Sequence, residues 1–310
     1  MKTLVTGGAG FIGSHVAERL LKEGHEVIIL DDLSLGKIKN IEYLKTISDK
    51  LEFHKKSILD KDIKELFNNV DVVFHLAALP RVQFSIQNPE ITHKANVEGT
   101  FNLLNICKDK KVKRFVFTSS SSIYGDQDIL PLKETMKPNP MSPYALHKLI
   151  GELYCKVFYE IYGLETVSLR YFNVYGPRQD PEGGYACLIP KFILKLKNNE
   201  KVVINGDGLQ TRDFTFVTDV VNANLLAGFS SDKRILGESF NIGGGRNVSV
   251  NEVTNEIVRL CNSKSLIEHG PGVIEPKDTL AGVSKALELL KWKPEVSFED
   301  GLKKTFESLR

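Results

Sequence analysis

The first 170 residues alternate short apolar runs with helical repeats. Lys2–Thr6 is a compact apolar run that predicts a buried strand, and Phe11–Lys22 carries Ile12, Val16, Leu20 and Leu21 at helical spacing. Val27–Leu30, Leu51–His54, Val70–His75, Val112–Thr118 and Glu165–Arg170 predict further strands. Helical periods run through Asp60–Phe67, Asn96–Lys108 and Tyr144–Tyr162. Such alternation implies an α/β chain with a doubly wound parallel sheet covered by helices on both faces. After about residue 175 the texture changes. Gly176-Pro177, Gly183-Gly184, Gly206-Asp207-Gly208 and Gly243-Gly244-Gly245 interrupt short helices near Ile189–Leu196, Thr218–Ala227, Val250–Leu260, Ser284–Leu290 and Phe298–Ser308. The expected organisation is a sheet domain over 1–175, with the chain returning to it around 213–242, and a smaller lobe over 176–310. No internal repeat or low-complexity tract interrupts this plan.

Between the first strand and the first helix stand Gly7, Gly10 and Gly13, spaced G-x-x-G-x-x-G. Gly7 permits a tight turn, Gly10 lets the backbone approach a pyrophosphate, and Gly13 lets the helix pack against the sheet. The free N–H groups and dipole of that helix attract the anion. This is a Rossmann-type dinucleotide turn. The second strand ends in Asp31 and Asp32, with Asp31 standing 24 residues after Gly7. A carboxylate there can accept hydrogen bonds from ribose hydroxyls and repel a 2′-phosphate, which favours NAD over NADP. The competing reading of Asp31 is a solvated strand end.

Composition narrows the partners. A 310-residue chain with 42% apolar residues supports a large core, and a formal charge of +2 gives no reason to expect nucleic acid or an anionic membrane. Cys107, Cys155, Cys187 and Cys261 are scattered and read as reduced packed thiols, and seven dispersed histidines offer no metal spacing. The opening strand leaves no room for a signal peptide and no apolar run reaches membrane-spanning length, so a soluble cytoplasmic protein is expected.

The chemistry concentrates later. Thr118-Ser119-Ser120-Ser121-Ser122 lies at the C-terminal end of a strand, the edge where open parallel sheets bind ligands. Tyr144 and Lys148 then stand at i and i+4 at the start of a long helix. A free phenol has a pKa of about 10, so proton transfer near neutrality needs a depression of about three units, roughly 4 kcal/mol. A cation and a helix N-terminus both act in that direction. Ser120 could instead be an ordinary cap. His147 reads as solvated and turned away from the Tyr/Lys face, and His75 as a packing or backbone-bonded residue. The lysines over 108–113 read as a solvated helix end.

In this order, the glycine turn, strand-end Asp, serine segment and Tyr-x-x-x-Lys resemble the extended short-chain dehydrogenase/reductase family, in particular its nucleotide-sugar epimerase/dehydratase group. The resemblance covers essentially the whole chain, including His75-Leu76-Ala77-Ala78, Arg170 to Arg178 and Arg212 to Val220. It implies that Ser120, Tyr144 and Lys148 are catalytic. It implies an NAD site formed by Gly7, Gly10, Phe11, Ile12, Gly13, Asp31, Asp32, Ser34, Gly36, Ser57, Ile58, Leu76, Ala77, Ala78, Tyr144, Lys148 and Tyr171. For the substrate it implies Ser120, Ser121, Ser122, Tyr144, Asn173, Leu188, Ile189, Lys191, Arg212 and Thr279; Arg212 could alternatively be a surface ion-pair residue. Dehydratases and decarboxylases of the group carry acids after the Ser/Thr. Here Ser121 and Ser122 stand in those places, and Thr118–Tyr124 resembles the 4-epimerase segment. The resemblance therefore implies a UDP-hexose substrate, UDP-glucose or UDP-galactose, and a homodimer formed through the helices at 96–108 and 144–162. UDP-N-acetylglucosamine and UDP-glucuronate epimerases, a reductase or dehydratase, and a non-catalytic NAD-binding protein are the alternatives. The chain departs from the family at Ser57, where Asp is usual, and near Pro271–Thr279, where Arg-Pro-Gly-Asp is absent and Lys277 could supply the charge. Gly282 also replaces a common Asp, and a small Thr279 leaves room for a 2-acetamido group.

Overall fold

The computed structural model describes residues 1–182, 187–272 and 276–309. The Gly183-Gly184 break and part of the Pro271–Thr279 departure lie outside them. Seven parallel strands form the main sheet: β1 (Lys2–Thr6), β2 (Glu26–Leu30), β3 (Leu51–His54), β4 (Val72–His75), β5 (Arg114–Ser120), β6 (Glu165–Tyr171) and, as the returning strand, β7 (Glu238–Ile242). Their order across the sheet is β7-β6-β5-β4-β1-β2-β3. Strand order reverses between β1 and β4, so their C-terminal ends open the crevice in which a doubly wound sheet binds its ligand.

Side chains alternate across these strands, and the alternation builds two cores. Leu4, Ile28, Phe115 and Phe117 face one way, with Phe67, Leu104 and Phe158. Val5, Ile29, Val116 and Phe240 face the other, with Val16, Leu20 and Trp292. The first core is covered by α5 (Gly99–Asp109) and α6 (Pro143–Tyr162), the second by α1 (Phe11–Lys22) and α8 (Val217–Phe229). A third core, with Ile189, Phe192, Val202, Val253 and Phe298, gathers α7 (Leu188–Lys197), α9 (Val250–Cys261) and α10 (Phe298–Ser308) beside the sheet.

Several elements differ from expectation. The 60–67 period folds as a 3-10 segment, Lys61–Phe67. The 96–108 helix opens with a π turn, Lys94–Glu98, and Ala286–Leu290 is likewise a π turn. Three helices that the sequence did not announce are α2 (Ile38–Lys45), α3 (Val82–Gln87) and α4 (Pro89–His93). Each is too short to display a period.

Helix α6 lies unusually close to β5 because residue 151 is glycine: a Cβ there would collide with the Phe117 ring. The next residue, Glu152, pairs with Arg170 of β6, Nη2 to Oε2 at 2.7 Å and Nε to Oε1 at 2.9 Å, both side chains buried. Glu152 also accepts from Ser119 of β5 and, at 3.1 Å, from Ser239 of β7. Arg170 Nη1 donates to the Tyr124 hydroxyl, 2.8 Å, which donates to Asn241 Oδ1, 2.7 Å. Satisfied on every side, the pair fastens α6 to three strands. Removing one partner strands the other charge in the interior. Glu152→Ala is therefore expected to lose about 3–5 kcal/mol in urea unfolding, whereas an exposed substitution such as Glu160→Ala should leave the transition nearly unmoved.

Candidate active site

The crevice begins at the glycine turn. Gly7 has φ 71°, and its N–H donates to the Leu30 carbonyl at 2.9 Å, tying β1 to β2. A Cβ on Gly13 would strike the Gly7 carbonyl oxygen. Gly10 is the N-cap of α1 and offers no capping side chain, so the first N–H groups of the helix remain available to an anion. Leu76, Ala77 and Ala78 follow β4 and abut this turn. Leu76 and Ala77 donate to the Thr6 carbonyl and hydroxyl, both at 3.2 Å. This narrow, side-chain-free cradle fits the pyrophosphate of a dinucleotide.

Asp31 is buried at the end of β2, its oxygens accepting from Ala9 N at 3.0 Å and Leu33 N at 2.8 Å. Burial pushes its carboxyl up, against those two N–H donors. It is thus a turn-closing residue, not a solvated strand end. Each oxygen retains a lone pair for a further donor. Asp32 accepts from Ser34 N at 2.9 Å, both exposed, and Gly36 nestles beside Asp31. Phe11 and Ile12 bridge α1 to the third core. Ser57 N donates to Asp60 Oδ2 at 2.9 Å, and Ile58 is buried beneath Gly99. Tyr171 is not gathered here by its side chain: the ring is in the α1/α8-side core, and its hydroxyl bonds Thr118 and Asn224.

The catalytic candidates meet at the end of β5. Ser120 caps the short turn Ser121–Tyr124, accepting from Ser122 N at 3.2 Å and Ser122 Oγ at 2.9 Å, with its hydroxyl beside the Tyr144 phenol, which it favours in the ionised form. Tyr144 sits in the first turn of α6. Ser142 caps that helix, and the Ser85 hydroxyl of α3 accepts from Tyr144 N at 3.1 Å. Lys148 is buried, its Nζ 2.8 Å from the Thr118 carbonyl and 5.9 Å from the centre of the Tyr144 ring.

The electrostatics differ from the sequence expectation of a phenol depressed by Lys148. Burial raises Tyr144, opposed by its bond to Ser120 and then by the charge of Arg81. Burial also pushes Lys148 down to about 7. The protein's own groups therefore drive both towards neutrality.

Just after β6, Asn173 (φ 29°, Nδ2 to the Asp213 carbonyl at 3.0 Å) comes near Arg212, whose Nη1 donates to the carbonyls of Thr211 at 2.8 Å and Lys277 at 3.0 Å. Thr279 is buried, with its hydroxyl receiving Asp213 N at 3.3 Å, and the Lys277 side chain is exposed. Leu188, Ile189 and Lys191 open α7, Ile189 buried in the third core and the other two half-buried. Sequence reasoning passed over Asp213, which accepts from Gly244, Gly245 and Ala281 and so fixes the glycine loop beside Arg212. It also passed over Arg81, whose one signal was its place just after the end of β4.

One histidine reading needs correction. His147 is buried, not solvated: α4 packs on its face of α6, with the His93 ring 5.4 Å away, and burial lowers it to about 4. His75 is a packing residue as expected, buried against Phe115 and Phe117, and it is hydrogen-bonded by side chains, Thr6 at 2.8 Å and Thr100 at 2.9 Å. Among the described residues, no group of His, Cys, Asp and Glu could hold a metal ion, and no helix is long and apolar enough to cross a membrane.

The Lys148 shift carries a sign. Between about pH 7 and its unfolded value the unfolded chain binds the extra proton, so this residue's contribution to stability grows as pH rises and is lost as pH falls towards 7. The stability of the protein relative to Lys148→Met is expected to climb between pH 7 and 10 in urea titrations. A flat difference would contradict the burial account.

Residues 3–243 match the NAD dependent epimerase/dehydratase family. A putative UDP-glucose 4-epimerase of Methanocaldococcus jannaschii is 42% identical over 305 residues, covering 97% of this chain and 96% of that protein. The crystal structure of a UDP-glucose 4-epimerase with UDP-glucose from Thermotoga maritima superposes with TM-score 0.94 at 39% identity, covering 100% of this chain and 98% of that one. A UDP-glucuronic acid 4-epimerase from Bacillus cereus, in complex with UDP-glucuronic acid and NAD, gives 0.93 at 36% identity, covering 100% and 99%. Glycine turn, reversed strand order and these full-length likenesses agree: the chain belongs to the NAD dependent epimerase/dehydratase family.

Proposed function

We propose that this chain is a UDP-hexose 4-epimerase that interconverts UDP-glucose and UDP-galactose. The observation that carries the reading is the gathering of Ser120, Tyr144 and Lys148 at the end of β5, followed by Ser121 and Ser122 where elimination would call for an acid. The cofactor is NAD, which when bound takes a hydride from C4 of the sugar and gives it back.

The chain's own residues divide the remaining work. The turn at Gly7, Gly10 and Gly13 and the uncapped start of α1 hold the pyrophosphate, with Asp31 and Asp32 towards the ribose. Tyr144 receives the proton of the 4-hydroxyl and later returns one to the oxygen on the opposite face. Ser120 holds that oxygen, and Lys148 secures the ribose beside the phenol. Asn173, Arg212 and the start of α7 anchor the nucleotide diphosphate so that the hexose can turn over between the two transfers. Residues 1–175 with the 213–242 return thus hold the cofactor and present Ser120, Tyr144 and Asn173 to the substrate, and 176–310 supply the rest of the nucleotide-sugar site. The small, buried Thr279 favours a pocket that also admits bulkier sugars such as UDP-N-acetylglucosamine. Exposed Phe101, Leu153, Val157 and Ile161 on α5 and α6 support a homodimer face.

Tyr144→Phe is expected to slow epimerisation of UDP-glucose by ~10²–10⁴-fold while the purified protein retains its NAD. Undiminished turnover in that variant overturns the mechanism. Wild-type protein given UDP-glucose with no added cofactor should produce UDP-galactose; no conversion of any UDP-hexose would remove the reading.

A further inference from the structure

One buried carboxylate, away from the catalytic side chains, joins the separate stretches of chain that supply the substrate candidates. Asp213 is fully buried at the end of the strand Thr211–Asp213, which pairs antiparallel with Asn247–Ser249. Its Oδ1 accepts from Gly244 N at 2.5 Å, and its Oδ2 from Ala281 N at 2.9 Å and Gly245 N at 3.3 Å. Its backbone is engaged as well. The N–H donates to the Thr279 hydroxyl at 3.3 Å, and the carbonyl accepts from Asn173 Nδ2 at 3.0 Å. Arg212 precedes it in the chain. Asn173, Arg212 and Thr279 are thus set relative to one another through this one residue. The loop that closes on it has no room for side chains: a Cβ on Gly243 would meet the Ala281 Cβ and the Asp213 carboxylate, and one on Gly244 would strike the Phe214 carbonyl. Converging backbone N–H groups make a site for an anion, and here the chain supplies its own.

We propose that Asp213 is the positioning residue of the nucleotide-sugar anchor: by holding residues 243–245 and 279–281 on its strand, its carboxylate sets Asn173, Arg212 and Thr279 in the arrangement that grips the substrate. The proposal rests on the 4-epimerase reading, which gives those three to the nucleotide sugar. A dependence on pH follows. Each carboxylate oxygen already receives an N–H, so a proton on either is set against a donor and loosens the loop. Burial raises this carboxyl to about 6, opposed by the three N–H groups. Among the described residues, the charged side chains on the stretches packed around it are Arg212, Asp278, Arg246 and the exposed Lys277. Arg212 donates to the carbonyls of Thr211 and Lys277, Asp278 accepts from the Thr211 hydroxyl at 2.6 Å, and Arg246 pairs with Glu299 at 2.7 Å. The grip on the substrate therefore weakens as pH falls through about 6. Lys148 gains charge over the same fall and favours an anion, so it acts in the opposite direction.

The affinity for UDP-glucose, whose diphosphate takes up no proton in this range, is measured by calorimetry between about pH 5 and about pH 8. The proteins are NAD-loaded Tyr144→Phe and Tyr144→Phe/Asp213→Asn, with turnover of the wild type measured alongside. In Tyr144→Phe, binding should be about 10-fold weaker at about pH 5 than at about pH 7.5, following the fraction of Asp213 still ionised. Adding Asp213→Asn should weaken binding about 10- to 100-fold at the higher pH and flatten the profile. Bound NAD should be retained, because the hydrogen bonds of Asp213 go to the substrate lobe and Asn173. A flat profile in Tyr144→Phe overturns the proposal and leaves the epimerase reading standing, as does an unchanged affinity or slope in the double variant. Loss of NAD together with the sugar nucleotide also overturns it, in favour of a general role in the fold. A wild type that converts no UDP-hexose removes the reading on which the proposal rests. Should the double variant not fold, the Tyr144→Phe profile decides alone: a fall centred near pH 6 upholds the proposal and a flat one overturns it.

Discussion

The buried Glu152–Arg170 pair is the constraint on which the crevice depends. Glu152 stands one turn beyond Lys148 and two beyond Tyr144 on α6, while its partners lie on β5, β6 and β7. With Gly151 letting the helix sit hard against Phe117, the pair leaves α6 little freedom to slide or rotate over β5. Ser120, at the end of that strand, meets Tyr144 because the helix is held there. The meeting of these two side chains is a consequence of packing two turns away.

That packing also sets the electrostatic state of the site. Burial acts on Tyr144 and Lys148 in opposite directions on the pH scale and favours the neutral form of each. The charges that reset this balance arrive with the ligands. The oxidised nicotinamide brings a positive ring, and a nucleotide-sugar substrate brings a diphosphate.

Much of this was legible in the chain. The spans of β1, α1, β3 and α10 follow directly from apolar spacing, because each is bounded by a clear break such as the glycine turn or the Ser297 cap. Gly13 announced a close approach that only a missing Cβ allows. Tyr144 and Lys148 declared a shared helical face. Contacts made between distant segments stayed hidden. The burial of His147 depends on α4, a helix of five residues without a readable period. The side chain of Tyr171 turns inward because Asn224, 53 residues on, supplies its partner.

The central claim is that one hydrogen leaves C4 as hydride and returns to the same carbon without meeting water. The most direct measurement uses UDP-glucose carrying deuterium at C4, incubated with the purified protein in ordinary water. The account predicts UDP-galactose with the deuterium retained at C4. Loss of deuterium to solvent, as abstraction of a C4 proton would cause, would contradict it.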